Sequence, residues 1–369
     1  MVKEYISLTQ LFVLILNFLL GSSIVIGLGK DALQDAWIAI FLMAFVGVGL
    51  MYLYYSICSL LPNKNIFEIL EYCFTRRISI FFSLGYVIYF LHASSRITRT
   101  FGEMITTAIL PTTPLEVIAL SIMLVTAYIL YLGIETLARV SEIFTPYTLL
   151  IIVILIIFLI PNLQFQQLQP ILGGGITPLI KSLAPPMLSF PFGELVVFTV
   201  ILASVNKLEK GKKVSLIAVL TTGIILSIST LLVIITVGVD VFRYSNFPML
   251  SAARLVSIGH FIERIDVIVV FIMTLGVITK VSVYLYCALK GLEYIFRLPY
   301  RYFTVPISML VSFFSILVTA NYADHIKAMK SPVIIYFYFS MQLIIPLLII
   351  IILKWKTKKN NSAQNGVKY

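Results

Sequence analysis

The chain has 369 residues, of which 60% are hydrophobic and 12% charged, with a formal net charge of +11. So large an apolar share exceeds what a soluble domain of this length hides in one core, which excludes the soluble globular classes. The positive charge does not indicate nucleic acid either: the basic residues sit in short connectors and the tail, not in an aromatic-interleaved patch, and membrane topology accounts for them.

Apolar runs of about 20 residues, long enough to cross a hydrocarbon core ~30 Å thick, recur along almost the whole chain. They predict an all-α polytopic membrane protein with about ten spans, at 9–28, 36–60, 81–109, 115–132, 142–160, 185–204, 213–238, 263–290, 302–320 and 332–353. Residues 1–369 then form a single integral membrane domain that meets the lipid bilayer throughout. The first apolar run lacks a small-residue cleavage site and reads as a retained span. An even number of crossings puts both termini on one side. Placing them in the cytoplasm assigns Lys3, Lys64, Arg76, Arg77, Arg139, Lys207, Lys210, Lys212, Lys213, Lys290, Arg297, Arg301 and the tail lysines to the inside, as the positive-inside rule favours.

In the first span, Gly21, Ser22 and Ser23 interrupt the apolar run, and Gly27 and Gly29 follow. One reading is an unwound backbone assisted by hydroxyls; the other is close helix packing through small residues. The third span carries His92, Arg96, Arg99 and Glu103, spaced four, three and four apart and so on one helical face. An arginine at mid-span costs about 2.5–3.5 kcal/mol, so each needs a partner or water. Glu103 is the natural partner of Arg99, and Glu194 is a candidate for Arg96 across the bundle. These residues form either a structural ion-pair network or a surface on which Arg96 or Arg99 binds an anion or gates access. The glutamine-rich stretch 162–184 contains Gly173, Gly174 and Gly175 without the Lys-Ser/Thr of a phosphate loop, and is expected to be a flexible connector.

The sixth span contains Ser189, Phe190, Pro191, Phe192, Gly193 and Glu194 in succession, a second interruption with a buried acid. Interruptions at the start of spans one and six, roughly 170 to 190 residues apart, point to two inverted five-helix repeats with broken helices 1 and 6 and a midplane site between them. The repeats fall at about 1–161 and 185–353, leaving 354–369 as a basic cytoplasmic tail beside anionic head groups. The segment 248–262 places Ala252, Leu255, Ile258 and Ile262 on one face and Arg254, Ser257 and His260 on another, and is expected to lie on the outer surface as an amphipathic helix. Lys280 sits in the eighth span beside Thr279, Ser282, Tyr284 and Tyr286. Either its ammonium snorkels to the interface, or it replaces a bound cation by meeting carbonyls freed at Gly21, where sodium-binding bundles of this kind hold their ion.

The site drawn from these residues holds a zwitterion. Amides at Gly21, Ser22 and Ser23 face its carboxylate, and carbonyls from Phe190 to Gly193, with Glu194, face its ammonium. Leu195, Ser282 and Tyr286 are placed at its side-chain end, while Arg96, Arg99, Glu103 and Lys280 form the gating or ion-pair network. No cofactor, metal or enzyme chemistry is expected. Cys58, Cys73 and Cys287 lack ligand spacing and read as packing thiols, and His92, His260 and His325 are scattered, the last read as a solvated connector residue.

The run from Pro248 to Asp266, with Arg254, Glu263 and Arg264, resembles the signature of the spore-germination receptor B subunits, permease-like members of the amino acid/polyamine/organocation superfamily. Ile6-Ser7 with Gln10, Gly21-Ser22, Leu110-Pro111 with Thr113-Pro114, Phe190 to Glu194, and Lys280 with Tyr284 extend the resemblance over nearly the entire chain. His260 departs from it, since the family usually has an acid there. The resemblance implies a ten-span inverted-repeat fold in the spore inner membrane, recognition of a small germinant such as an amino acid, and assembly with an A subunit and a C lipoprotein subunit. The alternative is a secondary amino-acid transporter coupled to protons or sodium. A purely structural anchor fits poorly with so many charges inside the spans.

Overall fold

Backbone amides in a hydrocarbon medium must be satisfied within the chain, and this sequence does so with helices. The computed structural model describes residues 4–256, 265–317, 322–329 and 331–365. Residues 257–264, which hold His260 and the centre of the signature run, lie outside them.

Among the described residues, eight helices are long and apolar enough to cross a membrane: Leu8–Ile26, Lys30–Leu60, Arg76–Ala108, Leu115–Leu132, Ile134–Asn162, Leu208–Tyr244, Asp266–Phe296 and Pro332–Lys358. The shorter apolar stretch Leu188–Ser204 takes the sixth place and Arg301–Leu317 the ninth, so the ten predicted spans are all represented. Several helices outrun their apolar cores. The third begins at Arg76 and the fifth at Ile134, because charged residues extend the winding beyond the hydrocarbon where hydropathy no longer reports it. An additional helix, Ile66–Cys73, fills the connector after the second span. It is started by Asn65, whose side chain accepts from the Phe67 and Glu68 amides while Glu68 accepts from the Asn65 amide.

The three most extensive helix interfaces join the third span to the eighth, the second to the seventh, and the fourth to the ninth. Each helix is thereby set against the one five places later, so the two halves interlock rather than sit side by side. The first span packs on the fifth, seventh and eighth. Its apolar window and that of the eighth are each 78% buried, against 28% for the fifth, so spans one and eight are the interior and the fifth is the lipid-facing wall. At the terminus-bearing face the backbone of Ile6 pairs with the end of the sixth span, its amide donating to Ser204 (2.9 Å) and its carbonyl accepting from Asn206 (3.0 Å).

Two connector expectations are corrected. The glutamine-rich stretch is pinned: Gln164 donates its amide to Ile235 (2.7 Å), Leu172 donates its amide to the Asp35 carboxylate (3.1 Å), and the Gln34 side chain donates to the Pro170 carbonyl (2.8 Å). The helix Pro248–Arg254 does not ride on the surface. Pro248, Met249, Leu250, Ala252 and Ala253 are buried against the seventh and eighth spans and the end of the first, while Leu255 is exposed.

Candidate functional site

Both predicted interruptions are real breaks. The first span winds regularly over Leu8–Leu20, breaks at Gly21 and Ser22, and resumes only for Ser23–Ile26 before Gly27 turns the chain at φ 74°. The break admits close contact: a Cβ on Gly276 of the eighth span would lie 2.5 Å from the Gly21 α-carbon, and one on Gly21 would lie 3.1 Å from Cδ of Lys280. In the sixth span the helix widens to π winding over Leu183–Phe192, then tightens to 3₁₀ winding over Gly193–Val197. Such changes of pitch free and re-aim backbone groups. The tenth span answers with its own wide turn at Ser340–Ile344, from which Gln342 donates to the Ser189 carbonyl (3.0 Å) and the Tyr89 hydroxyl (2.9 Å). Tyr54 donates to the Gln342 carbonyl (2.7 Å).

The tightened turn after the π winding presents Glu194 to two cations. One carboxylate oxygen lies 2.9 Å from the Arg96 guanidinium and the other 2.7 Å from the Lys280 ammonium. Glu194 and Lys280 are fully buried, and Lys280 also lies over the rings of Phe190 (4.5 Å) and Phe18 (5.2 Å). Arg96 faces the Phe190 and Tyr338 rings. The triad therefore carries two positive charges and one negative in a nearly dry site, where aromatic faces supply part of the missing compensation. Lys280 does not snorkel. Its stem packs at Gly21, but its ammonium turns to Glu194 rather than to a first-span carbonyl.

A cavity of about 460 Å³ adjoins the triad on the side of the 27–35 loop. Ser22, Arg96 and Phe190 line it, together with Ser189, Thr100 and Tyr338, and the remainder of the wall is mainly apolar. The buried hydroxyls of Ser22 and Ser189 have no hydrogen-bond partner among the described residues. Gly21, Ser23, Gly193, Glu194, Leu195, Ser282 and Lys280 are buried but do not line the cavity. The amide cradle expected at Gly21 to Ser23 is corrected as well: the resumed helix is a single turn of four residues, too short to sum a useful dipole, and the cationic residues on the wall are Arg96 and Lys30, the latter beside Asp31 and donating to the Ser245 carbonyl (2.6 Å).

Tyr286 is not at the side-chain end of this cavity. Six residues beyond Lys280, or about 9 Å along the helix, it lines a separate cavity of about 250 Å³ near the terminus-bearing face, with Glu4, Lys290, Tyr300 and Arg301. Arg99 pairs with Glu103 at 2.6 Å and donates to the Ile316 carbonyl, beside the main cavity rather than in it. His325 is buried, not solvated, with Nε2 3.2 Å from the Thr100 hydroxyl. Tyr338 and Gln342 were not singled out from the sequence. Gln342 was findable, as a lone amide inside an apolar run must face protein rather than lipid.

Residues 5–323 match the family model described as spore germination protein. The chain belongs to this family. It is 32% identical over 367 residues to spore germination protein KB of Bacillus subtilis (strain 168), covering 99% of this chain and 98% of the relative. It is 24% identical to spore germination protein A2 of the same organism, over 78% of each. Two solved structures share its fold. One is Mhp1, a nucleobase-cation-symport-1 family transporter, with a TM-score of 0.62 at 14% identity, over 86% of this chain and 73% of that one. The other is MhsT in complex with L-phenylalanine, with a TM-score of 0.61 at 11% identity, over 95% and 98%. The chain is thus a spore-germination-family integral membrane protein with the inverted-repeat transporter fold, helices 1 and 6 broken.

Proposed function

We propose that the chain is the germinant-sensing membrane subunit of a spore germination receptor, binding a small amino-acid-like germinant at mid-membrane and signalling to A and C partner subunits. The observation that carries this reading is the 460 Å³ cavity resting on the buried Arg96–Glu194–Lys280 triad between two helix breaks. A ligand carboxylate at the cavity wall draws on Arg96, which already holds Glu194, so occupancy redistributes the triad's charge. The ligand ammonium faces the Ser189–Phe190 backbone and the Ser22 and Ser189 hydroxyls, and the apolar wall of Ile26, Ile97, Ile334 and Ile335 takes its side chain. Only a difference in affinity between two states of the bundle moves their populations, and a shared arginine supplies that difference. The basic connectors support a cytoplasmic terminus-bearing face under the positive-inside rule, and in this reading the cavity faces the other side of the spore inner membrane.

A second reading, a proton- or sodium-coupled secondary amino-acid transporter, is favoured by the transporter fold and by the 250 Å³ cavity on the opposite side of the triad. Labelled amino acids should bind the purified receptor complex, and Arg96→Gln should weaken that binding at least tenfold, the factor corresponding to about 1.4 kcal/mol. Unchanged affinity in the variant would remove the proposed carboxylate partner. Gradient-driven accumulation in proteoliposomes holding this chain alone would decide for transport, and binding without flux for sensing.

A further inference from the structure

A second, smaller chamber lies beside the main cavity, where the third, ninth and tenth spans meet the helix Tyr322–Met329. It has room for one small particle, about 20 Å³, and is lined by His92, Ser95, Arg96, Arg99, Ser315 and His325 among others. A space of that size suits a single water or a monatomic ion. Among the described lining residues there is no carboxylate, although two are arginines and two are histidines.

The donors are held in place. Arg99 is buried, and its terminal nitrogens are committed to Glu103 (2.6 Å) and the Ile316 carbonyl (3.3 Å), while its buried Nε has no hydrogen-bond partner among the described residues. His92 spends Nδ1 on the Tyr338 hydroxyl (2.7 Å) and His325 spends Nε2 on the Thr100 hydroxyl (3.2 Å), fixing both rings. The Ser315 hydroxyl donates to the Ser312 carbonyl (2.6 Å). Among the described residues, the carboxylates paired with Arg96, Arg99 and Lys280 are Glu194 and Glu103, two acids to three cationic groups. Burying a net cation in a low-dielectric interior is costly, and a counter-anion beside the guanidinium groups removes that cost.

We propose that this chamber is a binding site for a monovalent, chloride-sized anion, held by Arg99 Nε and Arg96 and distinct from the germinant cavity. Because Arg96 lines both spaces, the ion neutralises the triad while the larger cavity is empty.

The test uses the full-length chain purified in detergent, with chloride or bromide compared against gluconate, which is too large for the chamber. The expected result is a saturable rise of the unfolding midpoint with halide at constant ionic strength, absent in Arg99→Gln and retained in a control such as Gly49→Ala, together with one bromide anomalous peak beside Arg99. A midpoint indifferent to the anion, or halide density absent from the chamber with a neutral water in its place, would overturn the proposal. If Arg99→Gln fails to fold, the bromide peak in the unaltered chain still decides. Amino-acid binding in gluconate is a separate measurement, so loss of the anion site and loss of the germinant site are told apart.

Discussion

Glu194 is the one acid between two cations, and the three partners are not equivalent. Removing its charge leaves Arg96 and Lys280 buried near each other with only a neutral amide between them, whereas removing Lys280 leaves a balanced Arg96–Glu194 pair. Breaking a buried pair by deleting one partner costs about 3–5 kcal/mol, chiefly through the charge left stranded. Volume-conserving swaps between hydrophobic side chains usually cost less than about 1.5 kcal/mol, which bounds the packing cost of the Lys280 stem, and no charge is stranded because Arg96 still holds Glu194. The expected order of thermal unfolding midpoints in detergent is therefore Lys280→Met close to the unaltered chain and Glu194→Gln well below both. Equal losses in the two variants would show that the excess positive charge is not felt, and with it the reasoning from charge balance would fall.

Among the elements, the crossing of the first and eighth spans depends on glycine meeting glycine. An alanine normally gains about 1 kcal/mol over glycine inside a helix. At Gly276 that gain is outweighed, because the new Cβ would sit 2.5 Å from the Gly21 backbone, and backbone cannot swing aside as a side-chain tip can. Overpacking of this kind costs typically about 1–3 kcal/mol. Gly49 in the second span has nothing within 4 Å, so Gly49→Ala is the matched control. Gly276→Ala is expected to lower the unfolding midpoint and Gly49→Ala to hold or raise it; a gain in both would mean that the break leaves slack.

The same elements show what hydropathy and spacing can reveal. Gly21 and the Phe190 to Glu194 run were legible as breaks because glycine, proline and an acid are costly in lipid and need a local reason. Arg96 and Glu194 were legible as partners because each demanded one. Tyr286 was misplaced because adjacency to Lys280 in sequence ignores the rise of the helix, which carries it into the other cavity. The chamber around His92 and His325 was not legible, since it depends on where the connector helix Tyr322–Met329 folds back, a choice made by tertiary packing. Helix ends were misjudged wherever charged residues such as Arg76 and Arg139 continue the winding into water.

At the scale of the whole molecule, the segment before the first span fastens the terminus-bearing face shut. Glu4 accepts from the Ile134 amide (2.9 Å), the Tyr300 hydroxyl (3.2 Å) and the Arg301 guanidinium (2.5 Å), and Ile6 is paired to the end of the sixth span. One carboxylate thus ties together the turns after the fourth and eighth spans, over the cavity that Tyr286 lines. The Arg301 contact is partly exposed and contributes at most about 1 kcal/mol. The other two hydrogen bonds add about 0.5–1.5 kcal/mol each. Glu4→Gln removes the charge but keeps one acceptor oxygen, so about 1–2.7 kcal/mol of this total is lost and the open population should rise roughly five- to a hundredfold. The chain contains its own reporter in Cys287, fully buried with its sulfur 3.4 Å from the Val197 carbonyl of the sixth span, next in sequence to Tyr286. In a Cys73→Ser background, a thiol reagent should label Cys287 faster in Glu4→Gln, by a factor in that range, while Cys58, buried in the second span beside Thr199, keeps its rate. Acceleration of both thiols together would mean that Glu4 supports the fold as a whole, and no acceleration that the latch is not what closes this face.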